Sequence, residues 1–444
     1  MGGRFVKVST EFFRAVFAST MVISITPTVA SAATTFNKDV LPIIQENCQV
    51  CHRPGGDSTA GMAAPMSLMN YKEARPWAKA ISKVVASREM PPWDATLDTH
   101  GQFINERTIT QEQIDTIVRW VETGAVRGNP QDMPDAKEFP DSDGWVIGIP
   151  DLEVYLDEPY WVADDVIDIQ PRFTIEITEE MLPEPRWMKA IECRPGSEVV
   201  HHIFSTATAP AYGEHPEERF ALASVAAGED PQQYPDGFGN LLRAGTTVSI
   251  SMHYNKEQGP GTGKWDQSGL GFKFYPKGTE IRHKVTWNAL GVNGTGNMHF
   301  EIPPGHPNWE VGFSGTFEED TLLLSVHPHM HYRGKDFRYT AYYPDGTTEE
   351  LIYVDRYNYS WQTIYFYREP KFIPKGTRID ALARFDNSET IKNKVPKLNI
   401  MRSVGFAAPS EDEMMIPYIS YTHVDGEEAA AHREKWNKRD TSTD

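Results

Sequence analysis

From about residue 151 onward, apolar residues come in short runs, many alternating with polar ones and punctuated by Pro and Gly: 173–178, 187–193, 246–254 and 271–275. Side chains in a strand alternate between faces, so this texture predicts antiparallel β-structure. The stretch of about 275 residues is long for one small sandwich, and two are expected, over 151–280 and 281–425, with a polar tail at 426–444. Upstream the period changes. Helices are expected over 38–47, over 71–88, and from Thr110, where Gln113 completes a capping-box spacing. There Ile114, Ile117, Val118 and Val121 form an apolar stripe, and Gly124 can end the helix. Residues 127–150 are rich in Pro, Gly and Asp and read as a semi-rigid linker. The predicted fold class is a small all-α domain over 33–126 followed by two all-β, jelly-roll-like antiparallel sandwiches.

One stretch of the β region stands out. Residues 322–335 read Leu-Leu-Leu-Ser-Val-His-Pro-His-Met-His-Tyr-Arg-Gly-Lys. Strict alternation would place Leu322, Leu324 and Val326 on one face and Ser325, His327, His329 and His331 on the other. A row of neutral imidazoles on a strand can close on one metal, and imidazole suits zinc, copper, iron and nickel. The plain alternative is a solvated polar face. His253 shares a face with Ser249 and Ser251, opposite Val248, Ile250 and Met252. His201 and His202 are adjacent, so they share a metal only across a twist or bulge, or by using different ring nitrogens.

Charge and the N-terminus narrow the setting. Arg4, Lys7 and Arg14 precede an apolar run over 15–25, and Ala30-Ser31-Ala32 supplies small residues for cleavage, so residues 1–32 are expected to be a secretory signal peptide. No stretch is long enough for a membrane span. A periplasmic or secreted protein is implied. The net charge of −19 argues against nucleic acid and anionic membranes as partners. Three cysteines make no disulfide scaffold, and Cys48-Gln49-Val50-Cys51-His52 is the attachment signature of one covalent haem c, with His52 as proximal ligand. A disulfide or redox pair is the alternative use of those thiols. The arrangement resembles a class I cytochrome c, whose distal methionine sits on a loop before the last helix. Met90 is then the expected sixth ligand, with Met62, Met66 and Met69 as competitors.

Taken together, His201-His202, His253, the run His329-Met330-His331-Tyr332-Arg333-Gly334-Lys335 and Met414, preceded by Asp412-Glu413, resemble the copper type II ascorbate-dependent monooxygenases, the family of peptidylglycine alpha-hydroxylating and dopamine beta-monooxygenases. The resemblance covers roughly 151–423. It implies two sandwiches facing a solvent cleft with one copper ion on each: His201, His202 and His253 on the electron-donating copper, His329, His331 and Met414 on the oxygen-activating one. Two histidines with a thioether favour Cu(I), and a zinc site would rarely recruit a thioether. A self-contained site of His327, His329 and His331 remains open.

The chain also departs from the family. Only Cys193 lies in this region, where the animal enzymes are disulfide-rich, and His327 and Ile416 stand where the peptide enzyme grips its carboxylate, leaving Tyr418 of that trio. The implied activity is hydroxylation of a C–H bond in a small organic substrate by dioxygen. Electrons would come from a periplasmic donor or ascorbate-like reductant, through a haem held near the face of His201, His202 and His253. The alternative is a non-catalytic haem and copper electron carrier or copper-binding protein.

Overall fold

The computed structural model describes residues 1–3, 33–54, 64, 66–139, 144–226, 228–290, 298–391 and 398–439; the expected signal peptide lies almost entirely outside them. The chain is predominantly β, and every pairing between its strands is antiparallel. One sheet, built on Leu152–Tyr155, Gly269–Phe274 and Arg186–Arg194, encloses an apolar cluster with a second, built on Arg172–Ile177, Thr246–Asn255, Val200–Ala209 and Glu218–Val225. Farther along, the sheet of Thr286–Ala289, Ile416–His423, Thr321–His329 and Tyr365–Ile373 encloses another cluster with that of Trp309–Thr316, Arg378–Phe385, Gly334–Tyr342 and Thr348–Val354. Two sheets sharing one apolar interior is the arrangement of a β-sandwich. The strand Thr246–Asn255 shows why: Val248, Ile250 and Met252 are buried in the core while Ser249 and Ser251 on the opposite face are half-buried.

The N-terminal helices pack on an apolar cluster of their own, centred on Phe36, Ile44, Ile81, Ile117 and Trp120. Thr110 caps the helix Gln111–Glu122, its hydroxyl accepting from Gln113 N while the Gln113 side chain accepts from Thr110 N, so the capping box forms as expected. Gly124 beyond its end has φ +100°. The expected 71–88 helix is segmented: Tyr71–Ala74, a tighter turn at Arg75–Trp77 and then Ala78–Ala86, with Pro76 in the turn, where its missing N–H breaks the α ladder.

The expected 33–126 span does not close on itself. Between its last two helices, residues 93–107 form a strap on the second sandwich, and Trp93, Ala95 and Phe103 are buried in that sandwich's core. Thr96 N donates to Tyr353 O (2.8 Å), Ile104 N to Phe366 O (2.9 Å) and Arg368 N to Gln102 O (2.7 Å). Trp93 meets Tyr365 edge-on at 4.9 Å. The strap continues to Asn105, which donates to both Ile364 O and Asp230, and to Arg107, which pairs with Asp230. The strap docks chiefly against Thr348–Val354 and Tyr365–Ile373.

The polar tail is not loose. Residues Gly426–Asn437 form a helix, His432 stacks on Phe372 (5.3 Å), Trp436 packs on Tyr343, and Arg433 pairs with the buried Asp320. A polar composition hid a helix that is held by ring stacking and ion pairs rather than by an apolar stripe.

Candidate metal centre

The two histidine groups owe their geometry to two β-bulges. Along the pairing of Val200–Ala209 with Thr246–Asn255, His253 lies opposite His202 but Tyr254 lies opposite Val200. His201 is the extra residue, and the bulge lets two sequence neighbours turn their rings to one place. His202 Nδ1 lies 3.2 Å from His201 Nδ1 and 3.2 Å from His253 Nδ1. His253 uses its other nitrogen, Nε2, to donate to Asp168 Oδ2 at 2.9 Å, and Asn255 donates to the same oxygen at 3.1 Å. That bond fixes the tautomer and leaves His253 Nδ1 as a lone pair. Burial, reinforced by His253, pushes His201 down to about 4. Burial holds His202 well below the ordinary histidine range. Neutral ring nitrogens thus converge on one point, where each could offer a lone pair to a cation. These three residues form a group that could hold a metal ion.

Asp168 escaped the sequence reading, because no motif links it to a histidine 85 residues later. Burial opposes ionisation of its carboxyl, but the bond and charge of His253, the Asn255 bond and the nearby His201 together outweigh it and hold its pKa below the usual range. Asp168→Asn should weaken metal affinity at this group by about 10- to 100-fold, the usual effect of losing a carboxylate behind a ligating imidazole. Competition against a chelator would measure it, and unchanged affinity would remove Asp168 from the site.

The second bulge falls at Leu324. The partner of Leu323 is Tyr421 but that of Ser325 is Ser420, so strict alternation slips by one. Leu322 and Leu324 enter the core of the first sandwich, whereas Val326 joins Leu323 in the core of the second, against the expectation that Val326 would share the face of Leu322. After the slip, His327 and His329 line a cavity of about 550 Å³ together with His202, His331, Met414 and Tyr418. The strand ends at His329, so His331 lies in the turn before Gly334–Tyr342 rather than on the strand.

Backbone and side-chain bonds aim this second pair. His329 Nδ1 donates to Gln362 Oε1 (2.7 Å) and His331 Nδ1 to Asp412 O (3.1 Å), leaving Nε2 of each as the lone pair. The rings stand nearly perpendicular with centroids 5.3 Å apart. Burial pushes His329 down to about 4 and holds His331 well below the usual range. Glu413, beside Met414, accepts from the backbone N–H groups of both His331 (2.8 Å) and Arg333 (2.5 Å), which ties the methionine's loop to the histidine turn. Gly334 is required by closeness: a Cβ there would sit 2.7 Å from the Tyr357 ring and 2.9 Å from Met330 Cβ.

His202 of the first group and His329 and His331 of the second line one cavity, and a tyrosine touches both groups. Tyr359 stacks on His201 (5.2 Å, 21°), meets His331 edge-on (6.1 Å, 86°), and its hydroxyl bonds Ser410 (2.7 Å). Tyr359, Gln362 and Glu229, another cavity residue, carry no sequence signal because the loops that hold them have neither periodicity nor a motif. Tyr418 lies flat against His327, with centroids 5.6 Å apart.

At the N-terminal end, Cys48 and Cys51 are half-buried, and burial pushes Cys48 up to about 12. His52 Nδ1 donates to Met66 O at 3.1 Å, which leaves Nε2 as its lone pair. The Met66 backbone carbonyl thereby lies on the Nδ1 side of His52. Met90 follows the helix Ala78–Ala86 with 39% of its surface exposed, on the wall of a groove it shares with Trp93, Arg107 and Arg356. Met62 lies outside the described residues.

No protein-family model matches the chain, and no curated protein matches it. Among solved structures, naturally occurring empty particles of cowpea mosaic virus align over 62% of this chain and 92% of that one at 6% identity and a TM-score of 0.29. Broad bean stain virus aligns over 60% and 88% at 7% identity and 0.23. A Paenibacillus xanthan lyase aligns over 61% and 25% at 9% identity and 0.16. TM-scores this low carry no argument about fold or function.

Proposed function

We propose that this chain is an exported copper-dependent monooxygenase that hydroxylates a C–H bond of a small organic substrate, with electrons arriving through a covalent c-type haem on its helical region. The net reaction is substrate R–H with dioxygen, two electrons and two protons giving R–OH and water. The observation that carries the reading is a pair of unlike donor sets that meet at one cavity: three imidazoles converging through Nδ1, of which His202 reaches the cavity wall, and two imidazoles presenting Nε2 on that wall together with Met414. His201, His202 and His253 would hold one copper ion, and His329, His331 and Met414 the other. Bound copper would supply dioxygen binding and one-electron chemistry, the softer thioether set favouring Cu(I).

The chain's own groups do the rest. Asp168, Gln362 and the Asp412 carbonyl orient rings before any ion arrives, so little reorganisation is needed. Tyr359 keeps the two groups on either side of a single aromatic ring. Tyr418 and His327 wall the space beside His329 where a substrate would lie. Cys48, Cys51 and His52 are the residues that would hold the haem, which when bound would supply one-electron transfer.

The test is oxygen uptake by the full, copper-loaded chain over a panel of small organic substrates with labelled dioxygen. One labelled oxygen atom per product molecule and two copper ions per chain are expected. Copper binding without substrate-dependent uptake would instead support a haem and copper electron carrier.

A further inference from the structure

The cavity has a polar end that belongs to neither donor set. His327 is only 3% exposed, and neither of its ring nitrogens has a hydrogen-bond partner. Its Nε2 lies 3.3 Å from Glu229 Oε1, near enough for attraction but without hydrogen-bond alignment. Glu229, 4% exposed, is held by its other oxygen: Oε2 accepts from Ser224 Oγ (2.6 Å) and from Ala226 N (3.1 Å). Oε1 is thus left facing His327. The segment that carries Glu229 is pinned from both sides, since the neighbouring Asp230 pairs with Arg107 of the strap and a Cβ on Gly228 would strike the Trp361 ring at 2.7 Å. A buried imidazole with no bonds is costly unless something fills the gap.

We propose that Glu229 and His327 are the subsite for the polar head of the substrate, and that this head is a neutral hydroxyl on an otherwise apolar molecule. The inference rests on the reading of this cavity as the substrate site. A neutral imidazole offers one N–H and one lone pair, and Glu229 Oε1 adds an acceptor. A hydroxyl both donates and accepts and so serves both partners; an ammonium only donates and a carboxylate only accepts. Charge points the same way. The cationic side chains on the cavity wall are Arg172 and Arg219, for which no acidic partner is found among the described residues and which oppose a cation. A carboxylate placed at His327 would meet the Glu229 carboxyl. Among Ser, Thr and Gln side chains the wall also carries the rings of Phe173, Phe204, Trp287 and Tyr418, against which an apolar body can pack.

Three probes with one phenyl group and different heads separate the possibilities: 2-phenylethanol, 2-phenylethylamine and phenylacetate, titrated calorimetrically into the full chain at neutral pH. Turnover is not needed, so failure of the monooxygenase reading leaves this result intact. The alcohol should bind at least about tenfold tighter than either ion, the worth of roughly one well-made hydrogen bond. Glu229→Gln, which keeps the shape and a bond to Ser224, and His327→Phe, which keeps the ring against Tyr418, should each shrink that preference to about twofold or less. Tighter phenylacetate would assign the head to Arg172 or Arg219 and overturn the proposal. It would also be overturned by tighter amine, by equal affinities, by no binding of any probe, or by a preference that survives in both variants.

Discussion

Met414→Ile should reduce turnover by roughly a hundredfold or more while the chain still binds one copper ion at His201, His202 and His253. The substitution keeps most of the side-chain volume, so the cavity wall between Ile416 and His331 is preserved and the loss is one of donor chemistry rather than packing. Without the thioether, two imidazoles remain, a set that holds Cu(I) less firmly and no longer encloses it. The bulge that gathers the other three histidines lies on separate strands and shares no hydrogen bond with Met414, so its ion should be unaffected. Metal analysis of the variant, alongside oxygen uptake, separates the two sites. Full turnover with Ile at 414 would remove this residue from the reacting centre.

Legibility in the sequence followed the range of the interaction. The strands at 172–177, 186–194 and 246–255 and the capped helix at 111–122 were readable because alternation and a capping box are local signals. His201-His202 was informative for the opposite reason: neighbours that ordinarily diverge required a bulge, and the bulge is there. The slip at Leu324 was invisible, since an extra residue in a strand announces itself only through its partners, Tyr421 and Ser420, about a hundred residues away. The residues that aim the rings, Asp168 and Gln362, were missed on the same ground. A single carboxylate in a two-residue strand, or an amide in a loop, has no pattern, and its role comes from the distance to one imidazole. The strap at 93–107 was read as part of a helical domain because chain order placed it between two helices, whereas Trp93 and Phe103 gain their burial from Tyr365 and Tyr367.

Arg333→Met should destabilise the turn that carries His331 and the loop that carries Met414 together, by about 3–5 kcal/mol, the range for removing one member of a buried charged network. The guanidinium is fully buried and used on three sides: Nε donates to Asn387 Oδ1 (2.7 Å), Nη1 to Glu411 O (2.6 Å) and Nη2 to Asn399 O (3.0 Å). Asn387 in turn donates to Pro303 O (3.1 Å) and Arg402 O (3.0 Å), so one side chain gathers three separate loops. Methionine fills the space of the arginine stem but leaves Asn387 Oδ1 and Asn399 O without donors, while Glu411 O keeps only Arg402 (2.7 Å), and an unmet buried acceptor costs more than the bond itself was worth. Its loss also strips the Glu413 carboxyl, raised to about 8 by burial, of an attraction that favours its charged form, so Glu413 should take up a proton at still higher pH. Lysine would not substitute, because a point charge cannot span three acceptors held in the plane of a guanidinium fork. Hydrogen exchange should show the effect where it arises, as faster exchange in 399–415 and 330–334 with the sheet of Val200–Ala209 unchanged, and urea unfolding should shift to lower midpoint. Unaltered exchange in both segments would mean that the loop holding Met414 is supported by something other than Arg333.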